Sequence, residues 1–396
     1  LADLFDKCKS GTSERAREAM RQGWYPYFKA IDSGADTEVY IKGKKMIMIG
    51  SNNYLGLTQD ERVKKAAIAA IEKYGSGCTG SRFLNGTLDI HEELERRLAE
   101  FMQTETALIF STGFTTNQGT IAALVGRKDL IVGDNENHAS IVDGARLAFG
   151  RYLKYRHNDM ADLDRVLTNN KKSHGVLIVS DGVFSMGGDI VDLPNLVQVA
   201  KKHGARIMID DAHSIGVLGA HGRGTAEHFG LQKEVDLVMG TFSKSFASIG
   251  GFIAGAEDVI HYIKHVSRAL IFQASPPPAA VATVITALDI LQKEPERRER
   301  LWHNVRKMQK GFTELGFNIG VSETPIIPLL IGDDEKTFGF WRLLFENGIF
   351  SNPVISPAVP PGKSLIRTSY MATHTDEELD QVLDLCGKVG KKVGII

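Results

Sequence analysis

With 396 residues, 43% of them hydrophobic and 24% charged, the chain can fill sizeable cores, and its composition is not that of a disordered or fibrous protein. Its 47 basic residues stand against 48 acidic ones, a formal net charge of -1, with no long basic run and no aromatic-basic interleaving, which speaks against nucleic acid as a partner. Three scattered cysteines, Cys8, Cys78 and Cys386, form no CxxC pair, so they suggest neither a disulfide framework nor a zinc site, and the expected compartment is cytoplasmic.

The N-terminus shows no signal-peptide pattern of charged start, apolar block and small-residue cleavage site. Residues 1–50 read as an N-terminal arm. Beyond them, short apolar runs at 107–110, 130–132, 176–179, 206–209 and 235–239 alternate with helical patterns, and each run is followed by Gly, Ser or Asp. Runs of this kind fit strands buried on both faces of a mainly parallel, doubly wound α/β sheet, in which ligands bind beyond the C-terminal strand ends. After the first run, Ser111-Thr112-Gly113-Phe114-Thr115-Thr116-Asn117 opens a helix through Ile121 and Leu124. Its free amides and hydroxyls could seat a phosphate, although judged alone the same residues read first as an ordinary N-cap. His138 follows the second run at the same sheet edge, where a flat imidazole could stack on a flat ring or serve structure alone. Ser185, in Phe184-Ser185-Met186-Gly187-Gly188-Asp189, follows the third and is a site residue or a turn residue.

Asp192, Leu193 and Pro194 start a helix that Gly204 closes, giving strand, helix, strand from 176 to 209. The fourth run ends in Asp210-Asp211-Ala212-His213-Ser214-Ile215-Gly216. A carboxylate leaving a buried strand is costly without a partner; a protonated ring nitrogen would be one, a helix cap another, and a metal reading of Asp210 with His213 lacks a third ligand. The fifth run leads to Gly240-Thr241-Phe242-Ser243-Lys244-Ser245, a lysine among small and hydroxyl residues. Such surroundings suit an imine-forming amine, and they also suit a solvated surface charge. The stretch 274–291 reads as a buried helix rather than a membrane span, since it carries three prolines near its start and Asp289. From 292 to 396 a charged amphipathic helix (294–315) and short strands indicate a smaller α+β domain, which leaves 51–291 as the large α/β domain. No Walker loop or strand-linked GxGxxG supports a nucleotide-binding protein.

Taken together, these segments and Ser51-Asn52-Asn53-Tyr54-Leu55-Gly56-Leu57 resemble the α-oxoamine synthase family over nearly the whole chain. That resemblance implies a homodimeric pyridoxal 5'-phosphate (PLP) acyltransferase of fold type I, condensing an amino acid with an acyl-CoA and releasing carbon dioxide and CoA. It implies that Lys244 is the Schiff-base lysine, Asp210 the partner of the ring nitrogen, His213 and Ser185 neighbours of the ring hydroxyl, and His138 the stacking residue. Gly113, Phe114, Thr241 and Ser243 would hold the phosphate with help from Ser275 of the other subunit, while Arg367 and Asn52 would face the substrate. By residues alone, Arg367 reads as a surface ion-pair residue. Ser243 and Ser245 around Lys244, the run Ala274-Ser275-Pro276-Pro277-Pro278 and the loop Ser356-Pro357-Ala358-Val359-Pro360 resemble the branch that joins L-serine to a long-chain acyl-CoA, giving 3-ketosphinganine. Val359 departs from the Thr common there. Glycine with acetyl-CoA, or a non-catalytic scaffold, is the alternative within the family, and the lipid product raises peripheral contact with the inner membrane.

Overall fold

The computed structural model describes residues 3–171, 173–356 and 358–396. Pro357, in the loop singled out above, lies outside the described residues.

A seven-stranded sheet organises the larger part of the chain. Its spatial order is Thr106–Phe110, Gly251–Gly255, Leu237–Thr241, Arg206–Asp210, Val176–Asp181, Leu130–Asp134 and Arg151–Tyr155. All neighbours run parallel except Gly251–Gly255, which is antiparallel to both strands beside it. The strands are short and apolar because both faces are covered. Side chains alternate accordingly: Ile109, Val238 and Phe252 pack with Leu94, Leu98 and Leu288 on one face. Leu108, Met239 and Ile253 pack with Ile121, Ile141 and Ile263 on the other.

Helix boundaries follow local chemistry. The helix Leu193–His203 starts at Asp192, whose side chain accepts from the Asn195 amide, and ends at Gly204 in the left-handed region. The stretch 274–291 mostly forms the helix Pro278–Lys293, packed on the sheet; among the described residues no helix is long and apolar enough to cross a membrane. The next helix, Pro295–Leu315, leads to an antiparallel sheet in which Leu365–Ser369 lies between Ile326–Leu330 and Asn352–Val354. This smaller sheet shares a core with the helices Asp334–Glu346 and Asp376–Val393.

Part of the N-terminal stretch joins that same core. Strand Lys44–Met48 pairs antiparallel with Glu38–Ile41 and parallel with Ile349–Phe350, and Ile47 and Ile49 pack against Phe340, Trp341 and Ile366. The chain then crosses through Asn52 to the larger sheet, so residues 50–54 lie where the two cores meet.

Candidate active site

Every parallel strand of the larger sheet delivers its C-terminal end to one edge, and a cavity of about 620 Å³ opens there against the smaller sheet. It is lined by eleven of the twelve residues expected at the site: Asn52, Gly113, Phe114, His138, Ser185, Asp210, His213, Thr241, Ser243, Lys244 and Arg367. Ser275 stands apart, its hydroxyl donating to the Gly80 carbonyl at 3.1 Å.

Lys244 owes its place to a tight reversal between Leu237–Thr241 and the antiparallel strand Gly251–Gly255. The Phe242 amide donates to Gly250 O (3.0 Å), Ser248 N to Phe242 O (2.9 Å) and Ala247 N to Lys244 O (3.1 Å). Gly250, at φ 129°, occupies backbone space that a side-chain-bearing residue rarely enters. The amine therefore projects from a rigid turn; among the described residues it forms no ion pair within 4.0 Å. Burial pushes it down to about 8, aided by the Arg367 guanidinium and opposed by the carboxylates of Asp210 and Asp181.

Asp210 ends its strand facing the cavity. Its Oδ2 accepts from Asn117 Nδ2 at 2.6 Å and its Oδ1 from the Ala212 amide at 3.0 Å. The neighbouring Asp211 turns the other way and is satisfied by the Thr225 amide (3.0 Å) and hydroxyl (2.6 Å), so the two adjacent acids have separate tasks. Asn117 also donates to Ser140 Oγ at 2.8 Å, and the Ser140 amide donates to His138 Nδ1 at 3.3 Å. An Nδ1 that accepts an amide has no proton of its own, so the 2.7 Å contact is Ser140 Oγ donating to it, and the proton of neutral His138 sits on Nε2. Burial lowers the His138 pKa, favouring that neutral form.

Two groups escaped the sequence reading, one lining the cavity and one buried behind it. Asp181 pairs in register with Asp210 on the adjacent strand and accepts the His138 amide at 3.2 Å. Burial, with Asp210 beside it, raises Asp181 well above the ordinary carboxylate range. The run at 176–179 followed by Ser and Asp carries the same signal as the run before Asp210, but the register between them is invisible in sequence. Tyr54 is fully buried, and its hydroxyl lies 2.6 Å from His213 Nδ1. Burial raises Tyr54 to about 12 and holds His213 well below its usual value, so both are neutral and one hydrogen bond joins the hydroxyl to the ring.

Arg367 lies mid-strand on the smaller sheet, opposite Asn352. Its Nε donates to Ser185 O at 2.6 Å and its Nη2 to Asn52 Oδ1 at 3.0 Å. Two bonds thus aim the guanidinium, whose planar fork suits a carboxylate. On the sheet side, the helix Gly113–Leu124 is capped by Thr112, whose hydroxyl accepts from Thr115 N at 3.0 Å. The first amides of a helix have no intrahelical partner, and here they face Thr241 and Ser243, whose hydroxyls lie 3.0 Å apart. A Cβ on Gly113 would come within 2.6 Å of Thr241 Oγ1, so the cradle closes only around glycine. This donor set fits PLP: a phosphate seat, an acid for a protonated ring nitrogen, a flat imidazole and a primary amine in one cavity.

A family model described as aminotransferase class I and II matches residues 44–385. Serine palmitoyltransferase of Sphingobacterium spiritivorum is 52% identical over 378 residues, spanning 96% of this chain and 95% of that one. An 8-amino-7-oxononanoate synthase of Treponema denticola is 46% identical over 384 residues, 97% of each chain. Among solved structures, a high-resolution structure of SPT with PLP superposes with a TM-score of 0.97 over 100% of both chains at 38% identity. The chain thus belongs to the class I and II aminotransferase family and, within it, to the α-oxoamine synthases.

Proposed function

We propose that this chain joins L-serine to a long-chain acyl-CoA, palmitoyl-CoA, with loss of carbon dioxide and release of CoA, the first step of sphingolipid synthesis. The observation that carries the reading is one cavity in which a depressed lysine amine, Lys244, faces both a pre-aimed guanidinium, Arg367, and a buried carboxylate, Asp210.

PLP, when bound, supplies an electron-poor ring that takes up the electron pair left when the amino acid loses its α-proton. The residues do the rest. Gly113, Phe114, Thr241 and Ser243 would hold the phosphate, and Asp210, fixed by Asn117, would keep the ring nitrogen protonated. His138 would stack on the ring. Neutral His213, held at Nδ1 by Tyr54, would meet the ring hydroxyl together with Ser185. Arg367 and Asn52 orient the serine carboxylate. With a pKa of about 8, roughly a tenth of Lys244 is neutral at pH 7 and able to accept the α-proton at Nζ.

The cofactor machinery belongs to residues 51–291, and the substrate arginine to 292–396. Exposed Leu84 and Phe272 flank the Gly80–Ser275 contact. Apolar groups of that kind support a homodimer in which Ser275 serves the partner's phosphate seat. A cytoplasmic enzyme touching the inner membrane peripherally suits the lipid product.

The test is turnover of serine, glycine and alanine against acetyl-CoA and palmitoyl-CoA. Serine with palmitoyl-CoA is expected to dominate; preference for glycine with acetyl-CoA would reverse the assignment.

A further inference from the structure

We infer that His157 is a positioning residue for Arg367: bridging Asp134 and Asp189, it fixes the loop whose Ser185 carbonyl aims the guanidinium.

His157 Nδ1 lies 3.0 Å from Asp134 Oδ1 and Nε2 lies 2.9 Å from Asp189 Oδ2, with Glu136 3.9 Å from the same nitrogen. Among the described residues the partners of both ring nitrogens are carboxylates, so both nitrogens donate and the ring is an imidazolium. Burial works against that charge, but the hydrogen bonds to Asp134 and Asp189 outweigh it and lift the group to about 10. Asp134 ends a strand of the larger sheet and is fully buried; Asp189 closes the loop 184–189 and is also buried. The imidazolium therefore ties the loop 184–189 to the end of a sheet strand. Phe184, at the start of the loop, packs edge-on against the ring at 4.4 Å.

The next residue reinforces the tie. Asn158 adopts a left-handed φ of 51°, its amide donating to Asp134 Oδ2 (2.7 Å), its Nδ2 to Ile190 O (3.0 Å), and its Oδ1 accepting from Asp192 N (2.8 Å). From the opposite side, Glu323 N and Thr324 Oγ1 donate to Gly188 O at 3.0 and 2.9 Å. The loop is thus held at Gly188 and Asp189 and packed at Phe184, and Ser185 O beside Phe184 accepts Arg367 Nε. None of these groups touches the cavity except Ser185 and Arg367, so His157 acts through the loop alone.

The inference rests on Arg367 binding the substrate carboxylate. Holoenzyme carrying His157→Asn is expected to show a serine KM raised about tenfold, with the acyl-CoA KM and kcat little changed, since a displaced guanidinium weakens orientation of one substrate only. Asp189→Asn, which breaks the tie from the loop side, should reproduce the effect, and the double variant should be no worse than either single one. Hydrogen exchange should quicken in 182–191 in both. A folded Asp189→Asn enzyme with unchanged serine KM and unchanged exchange in that segment overturns the inference, also where His157→Asn does not fold. Arg367→Lys is the control: if it leaves serine KM unchanged, the reading of Arg367 fails instead; if it raises KM while Asp189→Asn does not, only the inference fails.

Discussion

Replacing Gly113 by Ala tests the phosphate seat with a single carbon. The new Cβ meets Thr241 Oγ1 at 2.6 Å and Thr241 Cβ at 2.9 Å, whereas ordinary contact begins near 3.4 Å, so something must give by about 0.8 Å. Thr241 cannot yield freely: it is buried, and its hydroxyl donates to Gly250 O at 3.1 Å and lies 3.0 Å from Ser243 Oγ. Overpacking of this kind costs about 1–3 kcal/mol of stability. A threonine hydroxyl turned from a charged phosphate forfeits about 1.5–3 kcal/mol, which multiplies the PLP dissociation constant roughly 10- to 100-fold. The assay is titration of PLP-free enzyme followed by absorbance, beside a thermal melt. Gly339→Ala is the control, because a Cβ there meets nothing within 4 Å. PLP affinity within about twofold of the parent for Gly113→Ala would show that the seat is not where the helix meets Thr241.

The pH profile of kcat follows from Lys244. A base must be unprotonated to work, and burial brings this amine down to about 8, so kcat should climb about tenfold per pH unit below that point and level above it; a flat profile from pH 6 to 9 would exclude Lys244 as the base. In Lys244→Ala, turnover should fall by about 10²-fold or more, and borohydride treatment followed by peptide mass spectrometry should find no pyridoxyl group on the segment containing position 244. Arg82 and Glu95 form a buried bidentate pair at 2.8 and 3.1 Å, and Glu95 also accepts the Ile109 amide at 3.1 Å. Glu95→Gln strands a buried guanidinium and should cost about 3–5 kcal/mol in denaturant unfolding, against little loss if the pair were solvated.

What could be read from sequence was set by how local its cause is. The strand ends bearing Ser111, Asp210 and Thr241 were legible because a short apolar run followed by small or acidic residues is a local pattern. The antiparallel strand Gly251–Gly255 was not: only Phe252 and Ile253 of its five residues favour a strand, and its direction is set by the turn that carries Lys244. Asn117 was read as part of a phosphate loop, yet it lies inside the helix and steadies Asp210, 93 residues on. Arg367 looks like a surface cation in isolation; family resemblance pointed to it, and long-range pairing brings it 315 residues back to Asn52. The join between Lys44–Met48 and Ile349–Phe350 was likewise beyond any local signal.

That join sets an order of events during synthesis. Once residue 255 has left the ribosome, all seven strands of the larger sheet exist, with Asp210, Lys244 and the proposed phosphate seat at their ends. The strand Lys44–Met48 still lacks its parallel neighbour, and Arg367 has yet to be made. A nascent chain can therefore assemble the means to grip a cofactor well before it can select an amino acid, and an unfinished product would be an aldehyde trap without a substrate filter.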